Sequence, residues 1–199
     1  MTEPTPGKAE VAQLIQIMRQ VCPELQIRFK DEHWFWRRCP KRLRRAATTM
    51  FTTVWLSSRK RAESDHWGTF YTLAHEFVHV WDWVTKPFTF VLGYLMPQIL
   101  GLLIPLALLP WPSPWRRRLE MRGYRMNMAI QYWRRGTITS GMKRWVRQAI
   151  RGPLYYWMVW RKEIAVEVVD RAEWEIKIGV VHRLHPVYKI VARLLGYIK

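Results

Sequence analysis

Apolar side chains along this chain fall into three rhythms, and each predicts a different kind of element. Val11, Leu14, Ile15, Met18 and Cys22 recur at three- and four-residue steps apart from one adjacent pair, the stripe of an amphipathic helix that Pro23 ends. Leu25, Ile27 and Phe29 alternate with Gln26 and Arg28, which predicts a short, half-buried strand. Over 48–57 the run is continuous: Met50, Phe51, Thr52, Thr53, Val54, Trp55 and Leu56 are nearly all strand formers. A charged loop from Arg59 to Asp65 then leads to a helical stretch, 67–84, that is apolar nearly all round. There Phe70, Tyr71, Leu73, Ala74, Phe77, Val78, Val80, Trp81 and Val84 leave hardly any polar face, as expected of a helix buried in a core. Asp65 is placed to cap its start, and Pro87 forces it to stop because Lys86 is pushed out of helical angles.

Helical spacing dominates the second half. Ser113-Pro114 offers an N-cap and first-turn pair for a helix over 115–135, which Gly136 ends. Ser140 to Arg151 is a basic helix, broken by Gly152-Pro153 before Leu154-Tyr155-Tyr156-Trp157-Met158. Ile164, Val168, Ala172 and Ile176 step by four and predict another packed helix. Val187, Ile190, Val191, Leu194 and Leu195 oppose Lys189, Arg193 and Lys199, a basic amphipathic helix suited either to core packing or to an anionic lipid surface. The expected fold class is α+β, mostly helical, with a small antiparallel sheet packed on the buried helix of 67–84. One domain spans 1–199, and 137–199 forms its basic C-terminal helices.

Composition supports a packed domain: 199 residues with 49% hydrophobic content suffice for a core of their own. Charge adds a partner class. The formal net charge is +18, which points to anionic partners, either nucleic acid or acidic lipid. Thirteen tryptophans lean toward a membrane interface, where one side of the ring is apolar and the other wet. The densest basic run is Arg37, Arg38, Lys41, Arg42, Arg44 and Arg45, beside His33-Trp34-Phe35-Trp36. It reads equally as a phosphate-binding patch with stacking aromatics and as a solvated basic loop. Cys22 and Cys39 lack C-x-x-C spacing, and the polar N-terminus lacks the apolar stretch of a secretory signal, so reduced thiols and a cytoplasmic location are expected.

Candidate chemistry sits inside the buried helix. His75-Glu76-Phe77-Val78-His79 is an H-E-x-x-H pattern, and residues four apart on a helix lie on one face about a turn apart. Two imidazoles so placed can grip one zinc ion, with the intervening Glu76 near a bound water as general base. With 6 His and 11 Glu in the chain, roughly 0.01 such matches arise by chance. The competing structural explanation, two core histidines and a paired Glu, requires three costly buried polar groups to fall at metal spacing without a metal.

The order helix, strand, strand, H-E-x-x-H helix resembles the zincin metallopeptidases. That resemblance implies a zinc-dependent peptidase acting on protein or peptide substrates, with a strand at 48–57 pairing with extended substrate. The metzincin branch would need Gly at 82 and His at 85, where this chain has Asp82 and Thr85. The gluzincin branch takes its third ligand from a later helix, and Glu120-Met121-Arg122-Gly123 offers one, with Gly123 a turn beyond Glu120 to let the helices approach. The resemblance therefore implies zinc held by His75, His79 and Glu120. Asp82, seven residues from His75, lies on nearly the same face, but three ligands from one straight helix fit a tetrahedral ion poorly. A role outside the ligand set, or a salt bridge, is expected for it. Tyr155 or Tyr156 could supply a hydroxyl to an oxyanion, although aromatic packing is the commoner use of such residues. A different class of function, a non-catalytic protein of this fold binding membrane or nucleic acid through its basic and Trp-rich patches, stands beside the peptidase.

Between the two halves of the site, no residue from Pro87 to Trp115 is charged. A single membrane pass there would separate His79 from Glu120 by roughly 30 Å of hydrocarbon, incompatible with one shared ion. An apolar helical hairpin inserted over 87–115 is expected instead, docking the chain peripherally on a membrane or packing on protein. Trp81, Trp83 and Lys86 before it, and Trp111, Trp115 and Arg116 to Arg118 after it, are interfacial anchors.

Overall fold

A computed structural model describes residues 7–91, 114–152, 159 and 161–198, and shows a mostly helical α+β fold with a three-stranded sheet. Helix α1 (Lys8–Val21) leads into strand β1 (Gln26–Phe29), a 3-10 turn (Lys30–Glu32) and two short helices, α2 (Trp34–Arg38) and α3 (Lys41–Arg45). Strands β2 (Thr48–Met50) and β3 (Thr53–Leu56) follow, then α4 (Arg59–Ser64) and the long α5 (His66–Thr85). After α6 (Pro87–Phe90) come α7 (Pro114–Arg135), α8 (Ser140–Arg151), α9 (Lys162–Lys177), α10 (Val181–Leu184) and α11 (Pro186–Leu194).

The sheet corrects two expectations. Strand order is β1-β3-β2, with β2 antiparallel to β3 but β1 parallel to it, so the sheet is mixed rather than antiparallel. The physical reason is the connection: α2, α3 and β2 lie between β1 and β3, long enough for the crossover that parallel pairing needs. The single strand expected over 48–57 is a tight hairpin that reverses at Phe51-Thr52, pairing Met50 with Thr53. Phe51 takes φ 55 to make that reversal, a left-handed conformation uncommon for a residue with a side chain. Its ring packs edge-on against Trp83 at 5.0 Å, which offsets part of that cost.

Two loops are also helices. The stretch from Arg59, expected as a charged loop, forms α4 because the Ser58 hydroxyl accepts a hydrogen bond from the Arg61 N–H and satisfies its first turn. The basic run after Trp34 folds as α2 and α3, with Trp36 buried while Trp34 and Phe35 face outward.

A helix apolar on nearly every side must be surrounded, and α5 is: α1, α4, α7, α11 and β2 all pack on it. Phe70, Leu73 and Phe77 are fully buried, each contributing about 1.5–3 kcal/mol relative to exposure. Asp65 caps α5 as expected, its Oδ1 accepting from the Gly68 N–H at 2.8 Å, and the helix ends ahead of Pro87. Helix α7 ends where Gly136 takes φ 70, its N–H closing on the Tyr132 carbonyl. Of the two uses open to the last amphipathic helix, core packing is the one observed: Val187, Tyr188, Val191 and Ala192 of α11 are buried.

The hairpin expected over 87–115 falls largely on 92–113, outside the described residues, as do Tyr155 and Tyr156. Among the described residues, no helix is long and apolar enough to cross a membrane.

Candidate metal centre

Two helices build the site. On α5, His75 and His79 project one turn apart toward α7, where Glu120 faces them. His75 Nε2 lies 3.5 Å and His79 Nε2 3.8 Å from Glu120 Oε2, and one donor atom of each residue falls within 4.8 Å of the other two. Ligand atoms about 2.1 Å from a tetrahedral zinc ion are about 3.4 Å apart, so the spacing and the N, N, O donor set fit that ion. All three side chains are buried, with His79 and Glu120 each only 1% exposed.

Gly123 permits this approach. A Cβ built on it would overlap the His75 ring, lying 2.6 Å from Cδ2 and closer still to Nε2. Any side chain at 123 therefore displaces the imidazole or pushes α7 off α5. The close contact expected from Glu120-Met121-Arg122-Gly123 is present in the packing.

Electrostatics within the cluster are strongly coupled. Burial opposes the charge on Glu120, but the His75 hydrogen bond and the nearby His79 and Arg116 outweigh it and hold the carboxyl down to about 2. Burial likewise pulls His75 down, yet its hydrogen bond to Glu120 and the charges of Glu76 and Glu120 raise it above the ordinary imidazole value. His79 is lowered, chiefly by burial. His75, His79 and Glu120 would hold a zinc ion as neutral imidazoles and an ionised carboxylate, the ion standing where a shared proton now does.

Glu76 stands beside the cluster but is held from elsewhere. Its Oε2 accepts a 2.6 Å hydrogen bond from the Thr49 hydroxyl on β2, the outer strand of the sheet. Thr49 is itself buried, so the contact is protected from water. A cleft of about 680 Å³ opens over His75 and Glu76. Tyr124, Asn127 and Trp145 line one side of it, and Arg42, Arg45 and Arg61 another. The Tyr124 ring meets His75 edge-on at 5.0 Å.

Asp82 turns away from the cluster. Both its oxygens accept from Arg122 Nη1 at 2.8 Å, and Oδ1 lies 3.3 Å from His185 Nε2. His185 Nδ1 accepts from the Val187 N–H, which leaves the proton on Nε2 to be donated to Asp82. Burial would raise the Asp82 carboxyl, but His185 and Arg122 outweigh it and depress it. The salt bridge expected as one of its two roles is the arrangement found.

Several residues around the site went unread in the sequence. Thr49 looks like any alternating strand residue, and its role depends on a contact 27 positions away. Asn127 and Tyr124 follow Glu120 at helical steps of seven and four, so the face they share with it was a usable signal. His185 and Arg122 carry no signal short of the packing of α11 on α5 and α7.

Comparison of the chain with known protein families, with curated proteins and with solved structures finds no match.

Proposed function

We propose that this chain is a zinc-dependent metallopeptidase of the zincin type, with His75, His79 and Glu120 as ligands and Glu76 as general base. The observation that carries the reading is the buried convergence of two imidazole nitrogens and one carboxylate oxygen at tetrahedral spacing beside an open cleft. When bound, zinc supplies Lewis acidity, polarising a carbonyl and lowering the pKa of a water to about 7. The chain's own residues do the rest. Thr49 fixes Glu76 Oε2 and leaves Oε1 to take the proton that an attacking water gives up. The same carboxyl then returns that proton to the departing amine, so no second acid is required. Gly123 and the Tyr124 ring hold His75 in place while this happens. A cytoplasmic site at a membrane surface is part of the proposal, supported by the net charge of +18 and the uncharged stretch of 87–115.

The test is metal analysis combined with a peptide-library cleavage assay on wild type and Glu76→Gln. About one zinc per chain in both proteins is expected, with hydrolysis reduced by about 10²–10⁴-fold in the variant. Equal cleavage by the variant rejects the mechanism. Zinc without cleavage by either protein favours the non-catalytic binding protein.

A further inference from the structure

The cleft over Glu76 has a charged wall that the peptidase reading leaves without a use. Arg42 and Arg45 of α3 and Arg61 of α4 line it. All three are exposed, and among the described residues none of them has an ion-pair or side-chain hydrogen-bond partner. Past Arg45 and Arg61, which it shares, the cleft continues into a second hollow of about 510 Å³ bordered by Arg37, Lys41 and Arg44. Among the described residues, acidic groups in these walls are few. Besides Glu76 they are Asp65, whose Oδ1 caps α5, and Asp31 in the outer hollow.

The wall is held in position rather than loosely displayed. Lys30, 1% exposed, donates from Nζ to the Leu43 and Ala46 carbonyls at 2.8 Å and to the Thr48 hydroxyl at 2.7 Å. That single ammonium ties the end of α3 to the start of β2, so the arginines of α3 and the Thr49 that anchors Glu76 move as one piece.

We propose, building on the peptidase reading, that the cleft selects acidic peptide segments. Asp or Glu side chains of the substrate on one side of the scissile bond pair with Arg45 and Arg61, extending toward Arg37, Lys41 and Arg44. Guanidinium matches carboxylate geometry with paired N–H donors, which suits this wall to side-chain carboxylates. A nucleic acid strand fits less well, since its evenly spaced phosphates would have to pass the carboxylate of Glu76, whereas a peptide places charge only where its side chains require.

The experiment measures binding and cleavage separately. Fluorescent peptides of one scaffold, carrying either Glu and Asp or Gln and Asn at flanking positions, are titrated against full-length Glu76→Gln and offered to zinc-loaded wild type. Acidic peptides are expected to bind on the order of tenfold more tightly, the combined effect of two partly exposed ion pairs, and the preference shrinks with added salt. Arg45→Gln with Arg61→Gln is expected to erase the acidic preference while leaving the affinity for the neutral peptide unchanged. Equal affinity for the two peptides overturns the proposal, as does tighter, Arg45-dependent binding of a single-stranded oligonucleotide. If acidic binding holds but zinc-loaded wild type cleaves no peptide, the peptidase reading fails while the recognition survives.

Discussion

Two buried polar clusters bridge the same pair of helices, and they are built on opposite principles. At one, Asp82 of α5 is enclosed by Arg122 of α7 and His185 ahead of α11, with a donor aimed at each acceptor. At the other, His75 and His79 of α5 converge with Glu120 of α7 so that three electron-pair donors face a common centre. The first closes its hydrogen-bonding requirement within the protein, as buried ion pairs must if they are not to destabilise the fold. The second is arranged as a cation requires, and Gly123 keeps the space that such an ion's neighbours need. One cluster locks the helices together. In the proposed function, the other uses that lock to hold the zinc ligands in register.

The comparison is broken most severely from the metal side. His79→Ala is expected to lower zinc affinity by more than about 100-fold, beyond the range seen when only an outer partner of a ligand is lost. Isothermal titration with zinc, read beside the far-ultraviolet circular dichroism of the variant, checks that the fold persists. Gly123→Ala should damage both properties at once. Overpacking against His75 is expected to cost about 1–3 kcal/mol in urea denaturation and to reduce zinc occupancy, because the ring must move. Unchanged stability and occupancy in that variant would show that α7 has room to shift.

Asp82→Ala should have the reverse profile. It leaves Arg122 and His185 without their shared acceptor and is expected to cost about 2–3 kcal/mol, less than a fully enclosed pair because Arg122 is 35% exposed. Zinc affinity should fall by no more than about tenfold, since Asp82 touches neither histidine ligand. Loss of zinc in this variant, with retention in Glu120→Ala, would exchange the two carboxylates' roles.

The same pair predicts a pH dependence. The folded carboxyl of Asp82 is depressed below its ordinary value of 3.8, so the unfolded chain takes up the proton first as pH falls. The stability Asp82 contributes is therefore complete above about pH 5 and lost as pH drops through the folded value. Urea denaturation of metal-free wild type and Asp82→Ala should differ near neutrality and converge in acid.

The smallest effect is expected at the edge of the sheet. Thr49→Val keeps shape but removes the hydroxyl that fixes Glu76 Oε2, and kcat is expected to fall about tenfold with zinc content unchanged. A rise in KM alone, with kcat unchanged, would mean that the hydroxyl positions substrate rather than the base.

Local pattern carried much of this molecule. The 20-residue α5 with its Asp65 cap and its stop before Pro87, the end of α7 at Gly136, and the i, i+4 placement of His75 and His79 all follow from nearest-neighbour rules. So does the suitability of Gly123 for a close helix crossing, because one missing side chain a turn from Glu120 is visible in one dimension. The hairpin at Phe51 was not legible, since no glycine or asparagine marks the turn and the residues around it are strand formers. Nor was the parallel pairing of β1 with β3, which depends on where α2 and α3 carry the chain. The sequence already favoured Glu120 over Asp82 as the carboxylate facing the histidines, but the physical cause lies in the tertiary structure. Both carboxylates lie on faces that meet at the α5 and α7 interface, and only the approach of Arg122 and His185 to one of them decides which is paired and which is left facing the histidines. Sequence thus determined which side chains share a helical face, because that is a property of 3.6 residues per turn. Which faces meet, and so where Thr49, Asn127 and the arginines of α3 stand around Glu76, depends on contacts between residues far apart in the chain, which no local period encodes.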